Sequence, residues 1–179
     1  MELTQKEKTE ITSSSQTILT SVVLTLCLVS DSLLYLLLPL YFNDFGIAFI
    51  WVGILLSVNR LVRILLQSWL TYWYQLLGLR NTMLVSVLFA GIGCTAFTIY
   101  LPIYCLLIGR IFWGIAYALM RMCCLFSATE DPNKSARNLG WYTALQELGP
   151  LGVLILAPLL IQQLHPQAIM TFPLVLCLI

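Results

Sequence analysis

Charge is what this sequence has least of. Only 9% of its 179 residues are Asp, Glu, Lys or Arg, against about a quarter in a soluble domain. With 60% hydrophobic residues and a mean hydropathy of +0.91, a chain this short cannot hide its apolar surface in a core, so lipid is the solvent for most of it. The single histidine, His165, excludes a paired-histidine metal motif and lies in a loop. The six cysteines form no C-x-x-C pair and all fall in apolar segments, which reads as small helix- or lipid-facing residues rather than disulfides or metal ligands. There is no phosphate-cradling glycine loop, and a net charge of +1 gives no electrostatic footprint for nucleic acid. No enzyme, metal or cofactor is therefore expected, and the first partner of the chain is a lipid bilayer.

What the chain has is long apolar runs. Five are full length, at approximately 17–42, 47–73, 82–100, 103–128 and 139–164, and a sixth, partial run covers 167–179. A spanning helix needs about 20 residues, so the fold expected is an all-α integral-membrane bundle whose sixth helix is incomplete. Turn signals separate the runs: Asn43 to Gly46, Gly78 to Asn81, Leu101-Pro102, Glu130 to Lys134, and His165-Pro166. Residues 1–16 read as a polar tail, with Ser13 to Gln16 as a capping box for the first helix. The apolar run after that tail is too long for a signal peptide. Lys6, Lys8, Arg80, Lys134 and Arg137 fall in alternate loops, so the positive-inside rule predicts a cytoplasmic N-terminus and a multi-pass protein of the plasma (inner) membrane.

Against this background the charges inside the runs stand out. Arg60 and Arg63 lie in the second run and Asp31 in the first. Each charge costs about 2.5–3.5 kcal/mol on insertion scales and needs a counter-ion or a water-filled cavity. Measured from Thr17, Asp31 lies roughly 20 Å along its helix, near mid-membrane, at a depth similar to that of Arg60. Tyr35 lies one turn from Asp31, and Asn59 joins the arginine stripe of the second helix. The fourth helix carries Arg110, Tyr117 and Arg121. Arg110 stands alone in the outer third of the membrane, where packing against backbone carbonyls is the plain alternative to a function. Arg121 and Glu147 of the fifth helix fall at similar depths, so Glu147 is either a proton carrier or the counter-ion of Arg121. For Asp31, Arg60 and Arg63 the two readings are a substrate or proton site and a structural ion pair.

Three stretches carry a family resemblance. Gly53 to Arg63 (G-I-L-L-S-V-N-R-L-V-R) resembles the second helix of bacterial exporters of the major facilitator superfamily. Arg110-Ile-Phe-Trp113-Gly114 resembles that family's fourth-helix arginine motif, and Gly149-Pro150-Leu-Gly152 part of its fifth-helix antiporter motif. The resemblance runs from about Leu24 to Ile179. It implies the N-terminal half of a transporter, built as two inverted three-helix repeats and truncated within the sixth helix. It further implies export of an unidentified small molecule, possible coupling to protons, and a partner that is either a separate C-terminal half or a second copy. In the family's cytoplasmic loop pattern, G-x-x-x-D-R-x-G-R-R, only Gly78 and Arg80 are retained, with Gln75 at the acidic position and Leu76 at the first basic one. The alternative is a non-transporting remnant or membrane scaffold.

Overall fold

In the computed structural model the described residues are 2–44, 46–98 and 102–163, with side chains described for 15–44, 46–97 and 102–159. They form four helical elements: α1 (Glu2–Leu40), α2 (Phe49–Thr98), α3 (Ile103–Thr129) and α4 (Ser135–Gln163). All four contain stretches long and apolar enough to cross a membrane. The partial sixth run lies outside the described residues.

Two boundaries differ from expectation. The polar tail is helical, continuous with α1 from Glu2, so no helix begins at the Ser13–Gln16 position expected of a capping box. The tail has neither Gly nor Pro, and Glu2, Lys6 and Glu10 recur every four residues, which supports helix on its own. The second and third runs join in one element of 50 residues. At about 1.5 Å per residue its length is more than twice the ~30 Å hydrocarbon core, so it cannot cross once. It breaks at Gly78, whose φ of 72° and ψ of 173° fall in a region open essentially to glycine alone. The first limb (49–77) and second limb (79–98) lie side by side: Leu66 and Leu70 of the first share a cluster with Val85 of the second and with Ile115, Ala118, Leu119 and Met122 of α3. The loop expected around 74–81 is thus a single glycine break between helical limbs.

The remaining ends follow local chemistry. Pro39 is the last residue but one of α1, and the chain turns through Gly46, which has a φ of 66°. Pro102 starts α3, its carbonyl accepting the Cys105 N–H at 2.8 Å. Asp131 holds the next turn by accepting the Asn133 N–H at 3.0 Å.

Packing is governed by small residues. α2 packs most extensively on α3, and α1 on α4. A Cβ at Gly109 would stand 2.9 Å from the Ala96 Cβ, and one at Gly93 would stand 3.0 Å from the Gly109 carbonyl oxygen. These close approaches seat the second limb on α3. A Cβ at Gly149 would stand 2.8 Å from the Thr25 carbonyl oxygen, and one helical turn away the Thr25 hydroxyl donates to the Leu145 carbonyl at 2.8 Å. Together they join α4 to α1. Two apolar clusters then tie α1, the second limb, α3 and α4 together. One is built on Leu34, Leu38, Phe97 and Leu106 near the 41–48 loop, the other on Leu24, Cys27, Trp113 and Met120 deeper in.

Candidate functional site

Asp31 is buried on α1, and both of its carboxylate oxygens are engaged. Oδ1 accepts from Arg110 Nη1 at 2.6 Å and from Asn59 Nδ2 at 3.4 Å. Oδ2 accepts from Arg63 Nη2 at 3.2 Å. One carboxylate therefore bridges two guanidiniums from two other helices. Asn59 completes a ring, because its Oδ1 accepts Arg63 Nε at 3.2 Å while its amide donates to Asp31. Arg110 also donates from Nε to the Leu55 carbonyl at 3.3 Å.

The surroundings suit cations. The Arg63 guanidinium carbon stands 3.6 Å from the Tyr117 ring centre, a close cation–π contact. The Tyr35 ring lies 5.2 Å from Arg110 and 5.9 Å from Arg60, and the Tyr35 hydroxyl donates to the Leu56 carbonyl at 3.4 Å. The two arginines are not equivalent. The Arg110 side chain is 2% exposed and that of Arg63 is 23% exposed. Arg110 is closed in, whereas Arg63 reaches the open side of the bundle. The cluster carries two positive charges and one negative.

Glycine brings these groups within reach. A Cβ at Gly114 would stand 3.0 Å from Val62 Cγ1 and 3.1 Å from both Asn59 oxygens. The bare Gly114 backbone lets the first limb approach α3 at the turn that carries Asn59. The spacing Arg110-x-x-x-Gly114 thus puts the cation and the space for its neighbour on one face of one helix.

Six of the residues predicted from sequence meet here: Asp31, Asn59, Arg63, Arg110, Tyr35 and Tyr117. Arg60 does not pair with Asp31. It follows Asn59 by one residue, about 100° around the helix, and is exposed. Arg110 is not alone. Measured from the helix ends beside the 41–48 loop, Asp31 lies nine residues below Leu40 and Arg110 seven below Ile103, which differ by about 3 Å of rise. Arg121 and Glu147 are both exposed, and no ion pair joins them among the described residues. Glu147 accepts from its neighbour Gln146 at 3.4 Å, and Arg121 lies beside the Tyr142 hydroxyl. Gly78 and Gly149 act in the backbone as described, Pro150 lies within α4, and Arg80 is exposed. Sequence reasoning missed the Leu55 carbonyl, for which no side-chain signal exists. It also missed Trp113, whose place three residues after Arg110 puts it on the same helix face.

Residues 20–179 match the family model described as Major Facilitator Superfamily. No curated protein and no solved structure matches the chain.

Proposed function

Because the chain belongs to the major facilitator superfamily, a family of transporters, we propose that the Asp31 cluster is the coupling centre of a secondary carrier that exports small amphipathic organic molecules against protons. The observation that carries this reading is the single carboxylate shared by two guanidiniums. With Asp31 ionised, Arg63 and Arg110 are held on it and three helices are drawn together. A proton arriving on Asp31 removes the charge that holds them. Arg63, already on the open side, then separates, and the first limb of α2 is freed from α1. Loss of the proton re-forms the bridge. Alternating these states couples proton passage to movement of the helices.

In this reading the N-terminus faces the cytoplasm of a plasma-membrane protein, and the helices form one six-helix half of two inverted repeats. The exposed faces of the first limb (Leu61, Ile64, Leu65) and of α4 (Leu151, Ile155, Leu159) meet either a C-terminal half or a second copy, which closes the cavity. The test is proton movement in dye-loaded proteoliposomes on addition of lipophilic organic cations. The parent is expected to move protons and the doubly neutral variant Asp31→Asn/Arg110→Gln, which leaves no orphaned charge on Arg110, to move none. Equal flux in the two would sink the proposal.

A second reading, a non-transporting scaffold in which the bridge only locks helices, is favoured by the near-complete burial of Arg110 and by the engagement of both Asp31 oxygens. It predicts no substrate-dependent proton movement in the parent itself.

A further inference from the structure

At the end of the bundle opposite the 41–48 loop lies an open cavity of about 520 Å³, within the size range of small-molecule sites. The apolar spans of α1 and α3 have their limits here, at Ser15 and Thr129, so the cavity sits where lipid meets water. Gln16 of α1, on its wall, is about 22 Å along the helix from Asp31. Tyr74 from the first limb of α2 and Phe126 from α3 also line it. Their rings are stacked, with centres 4.5 Å apart and planes at 7°. Glu130, directly after α3, is the only charged side chain on the wall among the described residues. The hydroxyls of Ser127 and Thr129, which complete the polar part of the wall, are already engaged. Ser127 Oγ pairs with the Thr17 hydroxyl at 3.1 Å, and the Thr129 hydroxyl donates to the Leu125 carbonyl at 2.9 Å.

The electrostatics of this wall all have one sign. α3 ends here, and the C-terminal end of a helix dipole is negative and favours cations. No basic residue lies in the last turn of α3, and its C-cap is Glu130, so an acid reinforces the helix end instead of neutralising it. Glu130 is exposed, lies near the Tyr74 phenol and forms no ion pair among the described residues. Arg80, one residue beyond the lining Leu79, is exposed and not part of the wall. Phe126 is 41% exposed, and aromatic rings attract cations, quaternary ammonium groups among them. A metal ion fits poorly, because one carboxylate stands in a wide cavity and no cluster of three metal-ligating side chains exists among the described residues. We propose that this cavity binds one organic ammonium group, with Glu130 as its counter-ion and the Tyr74 and Phe126 rings as its apolar wall. Such a group is carried by small cations in the aqueous phase and by the choline or ethanolamine headgroup of a lipid, and the boundary position is open to both. The site is separate from the Asp31 cluster and holds whether or not the chain moves protons.

The test uses the full chain in phospholipid nanodiscs, with thermal unfolding followed by circular dichroism at fixed ionic strength. In discs of phosphatidylglycerol, which has no ammonium group, choline is expected to raise the unfolding temperature in a saturable way. Its uncharged isostere dimethylbutanol, which has the same shape, is expected to leave it unchanged. Glu130→Gln, at an exposed position that folding does not depend on, should weaken choline binding about tenfold, as loss of a charge-assisted contact does. Discs of phosphatidylcholine then identify the source of the group. A choline shift lost there means that the lipid headgroup already fills the cavity, and a shift retained there means that the cavity takes the free cation; either result supports the site. The absence of a saturable shift in phosphatidylglycerol discs would overturn the proposal. So would an equal shift from the isostere, or a choline effect retained in full by Glu130→Gln.

Discussion

Replacing Asp31 with asparagine tests the physical centre of the site, because it removes one charge and almost no volume. In the parent, Arg110 is 2% exposed and has one ionic partner, at 2.6 Å. Without that partner its charge stays buried and uncompensated, a change that costs about 3–5 kcal/mol in buried pairs. Arg63 suffers less. Its side chain is 23% exposed, its pair with Asp31 is longer, and the Tyr117 ring and Asn59 continue to support it. Asparagine retains an oxygen that accepts from Arg110 Nη1, which keeps the loss toward the lower figure. The expected result for Asp31→Asn is therefore a fall of about 3 kcal/mol in unfolding free energy, roughly a 150-fold shift in the equilibrium. It is to be read by denaturant titration in mixed micelles, followed by far-ultraviolet circular dichroism. Adding Arg110→Gln should recover part of the loss, because the buried orphan is then neutral. Coupling of about 0.5–3 kcal/mol is usual between residues in contact. A loss below about 1 kcal/mol in the single variant, or strictly additive losses in the double, would refute the claim that Asp31 compensates a buried Arg110.

Other consequences are as direct. Gly114→Val places a branched side chain where a Cβ already meets Asn59 and Val62 at 3.0–3.1 Å; overpacking of about 1–3 kcal/mol is expected, with faster thiol labelling of a cysteine placed at Asn59 as the limb moves out. Gly78→Ala meets no neighbouring atom and so isolates the backbone cost of its φ and ψ, about 1–3 kcal/mol, measurable as a lower unfolding midpoint. Thr25→Val removes one hydroxyl bond between α1 and α4 and should cost about 0.6 kcal/mol, as such bonds do in membranes. Gly149→Leu, which strikes backbone at 2.8 Å, should cost several times more in the same assay. Arg121→Gln and Glu147→Gln, both at exposed positions without a mutual ion pair, should leave the transition where it is. A large shift in either would mean that the two charges meet in the membrane.

Much of the site was legible because helical periodicity constrains it. Asn59 and Arg63, four residues apart, had to share a stripe, and Tyr35 had to sit one turn from Asp31. The choice of Arg63 over Arg60 was not legible. Both are cations at nearly the same depth, and only the rotation of the first limb about its axis decides which of them faces α1. That rotation is set by the Gly114 contact, a property of two helices rather than one. Arg110 was misread for a related reason: its carboxylate lies 79 positions earlier, and depths counted from the far end of α1 placed the two groups too far apart. The loop near Gly78 was read as a full turn because Gly and Asn are turn formers. The apolar limbs on both sides kept their helical hydrogen bonds and left the reversal to one glycine.

By itself the sequence determined the solvent and the family. Its lack of charge requires lipid, its runs are long enough to span, and residues 20–179 match the superfamily. Those properties are local, summed along one chain or one helix face. The tertiary structure decided which charges meet. Isolated in a medium of low dielectric, Asp31 and Arg110 are each too costly to keep, and they are stable only where the bare backbones of Gly93, Gly109 and Gly114 let α2 close on α3 and the α1 carboxylate reach across to both arginines.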